Sequence, residues 1–461
     1  MDTEIGGPGM EITQQLDQKA MIKETIRIAW PAVLESFFIS LAGMIDTMMV
    51  SSMGTASVAA VGLTTQPKFI TLAVFFSINV AVSALVARRK GQQNQDGANE
   101  VLLTALVLSI VLCVFLSILS VVLADPIIRL CGSNEDTHDP AVTYFRVIQG
   151  GMIFNVLCMV INAAQRGAGN TRIAMTTNIV SSLVNICFNY LLIGGNFGFP
   201  KLGIYGAAIA TVLGTVVACV MSIQSLFKKK SYVQFKYMAK HHIKPTAAAI
   251  KSIWQLGINL LIENFAMRIG FISTAYLAAK LGTDPFAAHQ VGMNILGLGF
   301  SFGDGMQVAA VALIGRSLGE ERPDKAKKYG SLCQRMGFII SVILAIVLFF
   351  FGRQIFGLFF KAEDVIEMGV LISRFIIVIV LFQVSQIIYA GCLRGAGDVK
   401  YCLFVSLISV AIIRTLVTIL LVSVFHLGLV GIWIGVFSDQ FSRFILLSIR
   451  FRQGKWVNIK I

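Results

Sequence analysis

The sequence predicts an all-α integral membrane protein, with twelve transmembrane helices in two six-helix repeats related by a pseudo-two-fold axis along the membrane normal. Three observations carry this. The 461 residues are 56% hydrophobic and 13% charged, with a mean hydropathy of +0.78, whereas about a quarter of a soluble domain is charged. The apolar residues gather in runs of about 20, the length a helix needs to cross a bilayer, and these runs lack the polar face of a soluble helix. The second half of the chain also repeats the first. Glu263 falls 228 positions after Glu35, and the same offset relates Gly282 to Gly54, Arg316 to Arg88, and Arg394-Gly395-Ala396-Gly397 to Arg166-Gly167-Ala168-Gly169. Further along the offset is 225, relating Gly428-Leu429-Val430-Gly431 to Gly203-Ile204-Tyr205-Gly206. Six spans per copy is an even number, so both copies enter the membrane with the same orientation. That places their relating axis along the membrane normal.

Spans are expected near 26–50, 60–87, 99–124, 141–164, 173–194 and 203–226, then 252–280, 286–314, 331–352, 367–391, 401–424 and 429–449. They define a cytoplasmic segment 1–25, an amino-terminal bundle 26–226, a basic linker 227–251, a carboxy-terminal bundle 252–449 and a tail 450–461. Residues 11–24 read as a short surface helix. Alternate loops are basic: Arg88-Arg89-Lys90, Arg166 with Arg172, Lys228-Lys229-Lys230, Arg316 to Lys328, Arg394 with Lys400, and Arg450, Arg452 and Lys455. The intervening loops are short or acidic, with Asp125, Glu135, Asp136, Asp139, Asp284, Glu363, Asp364 and Glu367. Basic loops stay in the cytoplasm, which puts both termini inside a cell inner or plasma membrane.

The net charge of +14 is explained by those loops, so no nucleic-acid partner is expected. The eight cysteines are dispersed without CxxC or metal spacing and read as packing residues. The amino terminus lacks the pattern of a cleavable signal. Walker A, GxSxG and HExxH motifs are absent from the sequence, so neither ATP drive nor hydrolysis has support and no enzyme, catalytic residue or cofactor is expected.

Candidate function rests on carboxylates inside apolar runs. Each costs about 2.5–3.5 kcal/mol on insertion scales, so intramembrane acids usually have a role. Glu35 and Asp46 lie eleven residues apart in the first span, which on a helix puts them within about 20° of one face and about 16 Å apart along the axis. Burial suits Asp46 to exchange a proton or cation. Asn185 and Asn189, four apart on one face of the fifth span, offer oxygens to Na⁺ or support Asp46. As interhelical hydrogen-bonding residues they would look the same. Glu263 is the matching acid of the second half, with Glu35 as its partner across a central cavity. Arg268 is too far around its helix to pair with Glu263, so a bridge from Arg268 to Asp304 is expected, with Asp304 also a candidate cavity acid. Arg414 and Asp439 are expected to pair. The two Arg-Gly-Ala-Gly segments read as helix-terminating turns, and His289 as structural.

Several of these segments together resemble the multidrug and toxic compound extrusion family, over essentially the whole chain. They are Pro31, Asp46, Gly54 and Ala59-Ala60-Val61-Gly62; Arg166 to Thr171; Asn185 and Asn189-Tyr190; Gly206 to Thr211; Ala287-Ala288-His289-Gln290; and Leu393 to Asp398. The resemblance implies a secondary active antiporter that exports small cationic amphipathic compounds in exchange for Na⁺ or H⁺, by rocking of two halves. Asn189 and Glu263 look like the NorM-like branch. That branch often has an aspartate in its tenth span, and the corresponding position here is Gln383. The implied ion or proton residues are Asp46, Asn185, Asn189, Thr211 and Glu263, with possible Na⁺ at Asp46, Asn185 and Asn189. The implied substrate cavity contains Glu35, Gln383 and Asp304. A monomer in the bilayer suffices for this architecture. The alternative is a lipid-linked precursor flippase of a related branch, whose anionic substrate would call for cavity cations.

Overall fold

The computed structural model describes residues 8–459 except 52, 54, 132, 134, 229 and 230. Gly54, Lys229 and Lys230 lie outside the described residues, as do the two extreme ends of the chain. The first copy comprises α1 (Pro8–Ser51), α2 (Thr55–Gly91), α3 (Gln95–Val122), α4 (Ala124–Leu130), α5 (Glu135–Gly150), α6 (Met152–Gly167), α7 (Thr171–Gly194) and α8 (Gly203–Ser225). The short α9 (Phe235–Lys240) lies in the linker. Then follow α10 (Ala247–Lys280), α11 (Thr283–Gly319), α12 (Pro323–Phe359) and α13 (Glu363–Ala396). The next rod joins α14 (Val399–Ser406), a π-helical Leu407–Arg414, α15 (Thr415–Ile419) and a π-helical Leu420–Val424, before α16 (Gly428–Gln453).

Eleven of these helices are long and apolar enough to cross a membrane, and the bent pair α5–α6 brings the number to twelve. Two expectations need correction. The fourth span is not one rod, because it turns by 46° between Gly150 and Met152, while its repeat-mate α13 is continuous. Paired glycines at 150 and 151 give the backbone its weak point. Residues 11–24 are not a separate surface helix but the start of the 44-residue α1.

Both Arg-Gly-Ala-Gly segments end helices as expected. Gly169 has φ +80° and Gly397 φ +91°, and the following amides of Asn170 and Asp398 donate back to the carbonyls of Gln165 and Leu393 at 2.8 Å. Only glycine takes this left-handed conformation without steric cost. Outward faces are apolar, as on Val111, Phe115 and Ile118 of α3 and Phe349, Phe350 and Phe351 of α12. Such surface is stable against lipid rather than water.

The two lobes interlock at the basic-loop end. Met21, Ile28 and Ala29 of α1 belong to the core of the second lobe, beside Ala309, Ala310 and Leu313. Ile253, Leu256 and Leu260 of α10 belong to the core of the first, with Val82, Leu85 and Val160. Nearby, α2 and α11 cross through their glycines. A Cβ at Gly91 would overlap the Arg316 carbonyl, and one at Gly319 the Arg88 carbonyl. Toward the other end, a Cβ at Gly62 or Gly297 would meet open space.

Candidate functional site

Between the lobes lies a cavity of about 620 Å³, whose charged lining residues are Glu35, Asp304 and Glu263 with Arg166, Arg394 and Arg443. The two glutamates are not free. Arg166 donates to Glu35 Oε1 at 2.7 Å, and Asn178 donates to the same oxygen at 2.6 Å. Across the axis, Arg394 donates to Glu263 Oε1 at 2.7 Å and Ser406 at 2.8 Å. Each glutamate is almost fully buried and paired, the arrangement a buried charge requires.

Asp304 breaks the symmetry, since its repeat-mate is the cavity-lining Phe76. It accepts a hydrogen bond from Gln307 Nε2 at 3.1 Å, and Gln307 Oε1 accepts from Arg394 at 2.9 Å. The expected bridge from Arg268 to Asp304 is absent among the described residues. Arg268 instead stacks 5.0 Å above the Phe69 ring on α2, because its side chain points along the α10–α2 contact rather than into the cavity. Gln383 is not among the residues lining the cavity. It is buried on α13 beside Gly299, whereas its repeat-mate Asn155 does line it.

The second constellation lies eleven residues further along α1. Asn189 Nδ2 donates to Asp46 Oδ1 at 2.8 Å. With its amide nitrogen toward α1, Asn185 donates to Asp46 Oδ1 at 2.6 Å and Oδ2 at 3.0 Å, and accepts from Thr211 N at 3.2 Å and Oγ1 at 3.1 Å. The single hydroxyl proton of Thr211 goes either to Asn185 or to the Ala207 carbonyl, which lies 3.0 Å away. The site is walled by Val50, Tyr144, Ile193 and Ala208, and Lys68 on α2 is close enough to act on Asp46 electrostatically. The structure thus brings Asp46, Asn185, Asn189 and Thr211 together in the first lobe, and sets Glu35, Glu263 and Asp304 around the central cavity.

The sequence reading missed the partners of the glutamates: Arg166 and Arg394, which neutralise them, and Asn178 and Ser406, which hydrogen-bond them. A signal was present, because each partner repeats at the same 228-residue offset as the acids it binds. The expected Arg414–Asp439 pair forms, at 3.3 Å, and His289 packs edge-on to Trp433.

A chain with two copies of a six-helix unit, buried polar groups within its apolar helices and a cavity between the copies is built as a membrane transporter. The MatE family model matches residues 31–191 and 260–420, two segments set one repeat apart, and the chain belongs to the MatE family. Its relatives include the probable multidrug resistance protein NorM of Thermotoga maritima, 29% identical over 94% of this chain and 93% of that protein. The uncharacterized transporter YisQ of Bacillus subtilis is 25% identical over 93% and 94%. Among solved structures, the outward-facing conformation of a multidrug resistance MATE family transporter has a similar fold. Its TM-score is 0.87 at 24% identity, covering 94% of this chain and 97% of that one.

Proposed function

We propose that this transporter is a multidrug efflux antiporter that exchanges small cationic amphipathic compounds for Na⁺ or H⁺ across the cell membrane, with both termini in the cytoplasm. The observation that carries this reading is the Asp46 cluster. A carboxylate held by two asparagine amides and next to Thr211 is equipped to take a proton or a small cation. The Asn185 amide suits both states: nitrogen toward the ionised acid, oxygen toward the loaded one. The coupling ion neutralises Asp46 and lets the first lobe repack, which releases a bound cation from the cavity between the lobes.

In the cavity, Asp304 is the acid without an arginine at hydrogen-bonding distance among the described residues, so it is the natural counter-charge for a lipophilic cation. Glu35 and Glu263 act with their arginines as polar anchors rather than as free charges. The clasp at the basic-loop end seals the cavity from the cytoplasm, the geometry of the outward-facing half of the cycle. The flippase reading fits less well, because two of the three cavity arginines are held by the cavity glutamates and the third by Asp439.

The test is efflux of a fluorescent lipophilic cation from proteoliposomes under an imposed Na⁺ gradient and then an imposed H⁺ gradient, with Asp46→Asn beside the wild type. One gradient is expected to drive efflux in the wild type and neither in the variant. If neither gradient moves the dye through the wild type, the antiport reading is wrong.

A further inference from the structure

The two copies are alike around Glu35 and Glu263 and part company one level further along, where the first lobe carries Asp46. The repeat-mate of Asp46 is Thr274, 228 residues on. Beyond Ser406 the second copy contains the π-helical Leu407–Arg414, whose i→i+5 turns hold more residues than the i→i+4 turns of an α-helix and so have room for one inserted residue. One insertion there pairs Asn185 with Arg414, 229 residues on.

The contacts agree with this pairing. Asn185 bonds Asp46 from 139 residues away, and Arg414 donates Nε–H to Thr274 Oγ1 at 2.9 Å from 140 residues away. On the next helix, Gly214 corresponds to Asp439 at the offset of 225. A Cβ at Gly214 would stand 3.2 Å from Asn185 Cβ, and Asp439 stands beside Arg414 in the same way, accepting its Nη1–H at 3.3 Å.

The second lobe therefore fills its own version of the Asp46 pocket. Arg414 is 1% exposed, and its guanidinium lies 4.6 Å from the centre of the Phe271 ring. Asp439 is wholly buried and also binds Arg443 at 2.7 Å. Two guanidinium groups on one carboxylate leave a surplus positive charge. A free cation entering this pocket would have to displace a tethered one and still face the other.

We propose that Arg414 is a built-in cation that permanently occupies, in the second lobe, the place the coupling ion takes in the first. This pocket of the second lobe then takes no coupling ion, and one coupling ion is exchanged per cycle. This rests on the reading of Asp46 given above. One monovalent ion exchanged for one monovalent organic cation moves no net charge, so the equilibrium is blind to membrane voltage.

The experiment follows a singly charged fluorescent cation in proteoliposomes under the driving ion gradient, with the voltage clamped by K⁺ and valinomycin at zero and at 100 mV. The final dye ratio is expected to differ less than twofold between the two voltages. Exchange of two ions would shift it by about 50-fold, since 100 mV acts on one net charge with about 2.3 kcal/mol. That shift would overturn the single-ion assignment while leaving antiport intact. Failure of every gradient to move the dye would overturn both. Arg414→Asn with Arg443→Gln frees Asp439 and is expected to introduce voltage dependence, while the wild-type measurement decides the matter without it.

Discussion

Glu35 and Glu263 are each ion-paired to an arginine lying 131 residues further along the chain, Arg166 and Arg394, at the same distance of 2.7 Å. Both also accept from a residue 143 further on, an asparagine in one copy and a serine in the other. A duplication that keeps a buried pair in both copies keeps it as a unit, because either charge alone is costly in low dielectric.

Removing one partner should therefore be worse than removing both. Arg394→Met is expected to destabilise the protein by about 3–5 kcal/mol, the cost of stranding a buried carboxylate. Adding Glu263→Gln should recover most of that loss. Thermal unfolding in detergent, read as the melting temperature of the single and double variants, tests this. Equal losses in the two would rule out the pair as a unit.

Asp304→Asn makes the opposite contrast. Asp304 bonds Gln307 rather than an arginine, so its neutralisation should cost under about 1 kcal/mol of stability. Efflux of a cationic dye should nevertheless fall about tenfold. A variant with unchanged dye affinity would remove Asp304 from the substrate site.

Thr211→Val keeps the shape of the Asp46 site and deletes one oxygen. The apparent affinity for the coupling ion is expected to weaken about tenfold, roughly the 1.4 kcal/mol of one good polar contact, with the dye affinity unaltered. Initial efflux rates across a series of ion concentrations separate the two constants.

Gly91→Val and Gly319→Val address the clasp. Each side chain would run into the backbone of the opposite lobe, and overpacking of this kind costs about 1–3 kcal/mol. Both variants are expected to melt earlier and to admit a water-soluble thiol reagent to a cysteine placed at Ser83, on the cavity wall. Normal melting with no labelling would show that the crossing tolerates separation.

At the acidic-loop end, Asp125 accepts from His138 and from Arg129, each at 2.9 Å. The hydrogen bond to His138, and next that to Arg129, holds the Asp125 carboxyl below its ordinary range. A lowered folded-state value means the contribution is complete above the ordinary carboxyl range and is lost as pH falls through the lowered one. The protection of the α4 amides, measured against their intrinsic exchange rate at each pH, should stay constant from pH 7 to about pH 4 and fall below it. His138→Asn should move the onset upward.

The spans, the duplication and the shared face of Asn185 and Asn189 are legible because they depend on spacing along one helix or on a fixed offset, and the grouping of those asparagines with Asp46 follows from the family resemblance. What sequence conveyed poorly was direction across helices. Arg268 was matched with Asp304 on charge alone, yet its side chain leaves toward α2. The family resemblance implies a cavity place for Gln383, yet it turns into the packing beside Gly299 while Asn155 faces inward. The arginines that neutralise Glu35 and Glu263 sat in plain view inside the Arg-Gly-Ala-Gly turns. They read as turn residues because nothing local shows that a guanidinium reaches a carboxylate 131 residues away. The kink between Gly150 and Met152 uses the paired glycines 150 and 151, with Gly151 closely apposed to Val212 of α8, and a hydropathy profile averages such a break out.

The register of α1 against α7 has a mechanical meaning. Glu35 meets Asn178 and Asp46 meets Asn189, both 143 residues apart, so the helices run side by side like the rails of a ladder with two rungs. Neither rail slides without stretching both rungs at once. Whatever loosens the upper rung is therefore felt at the lower one, on the wall of the central cavity.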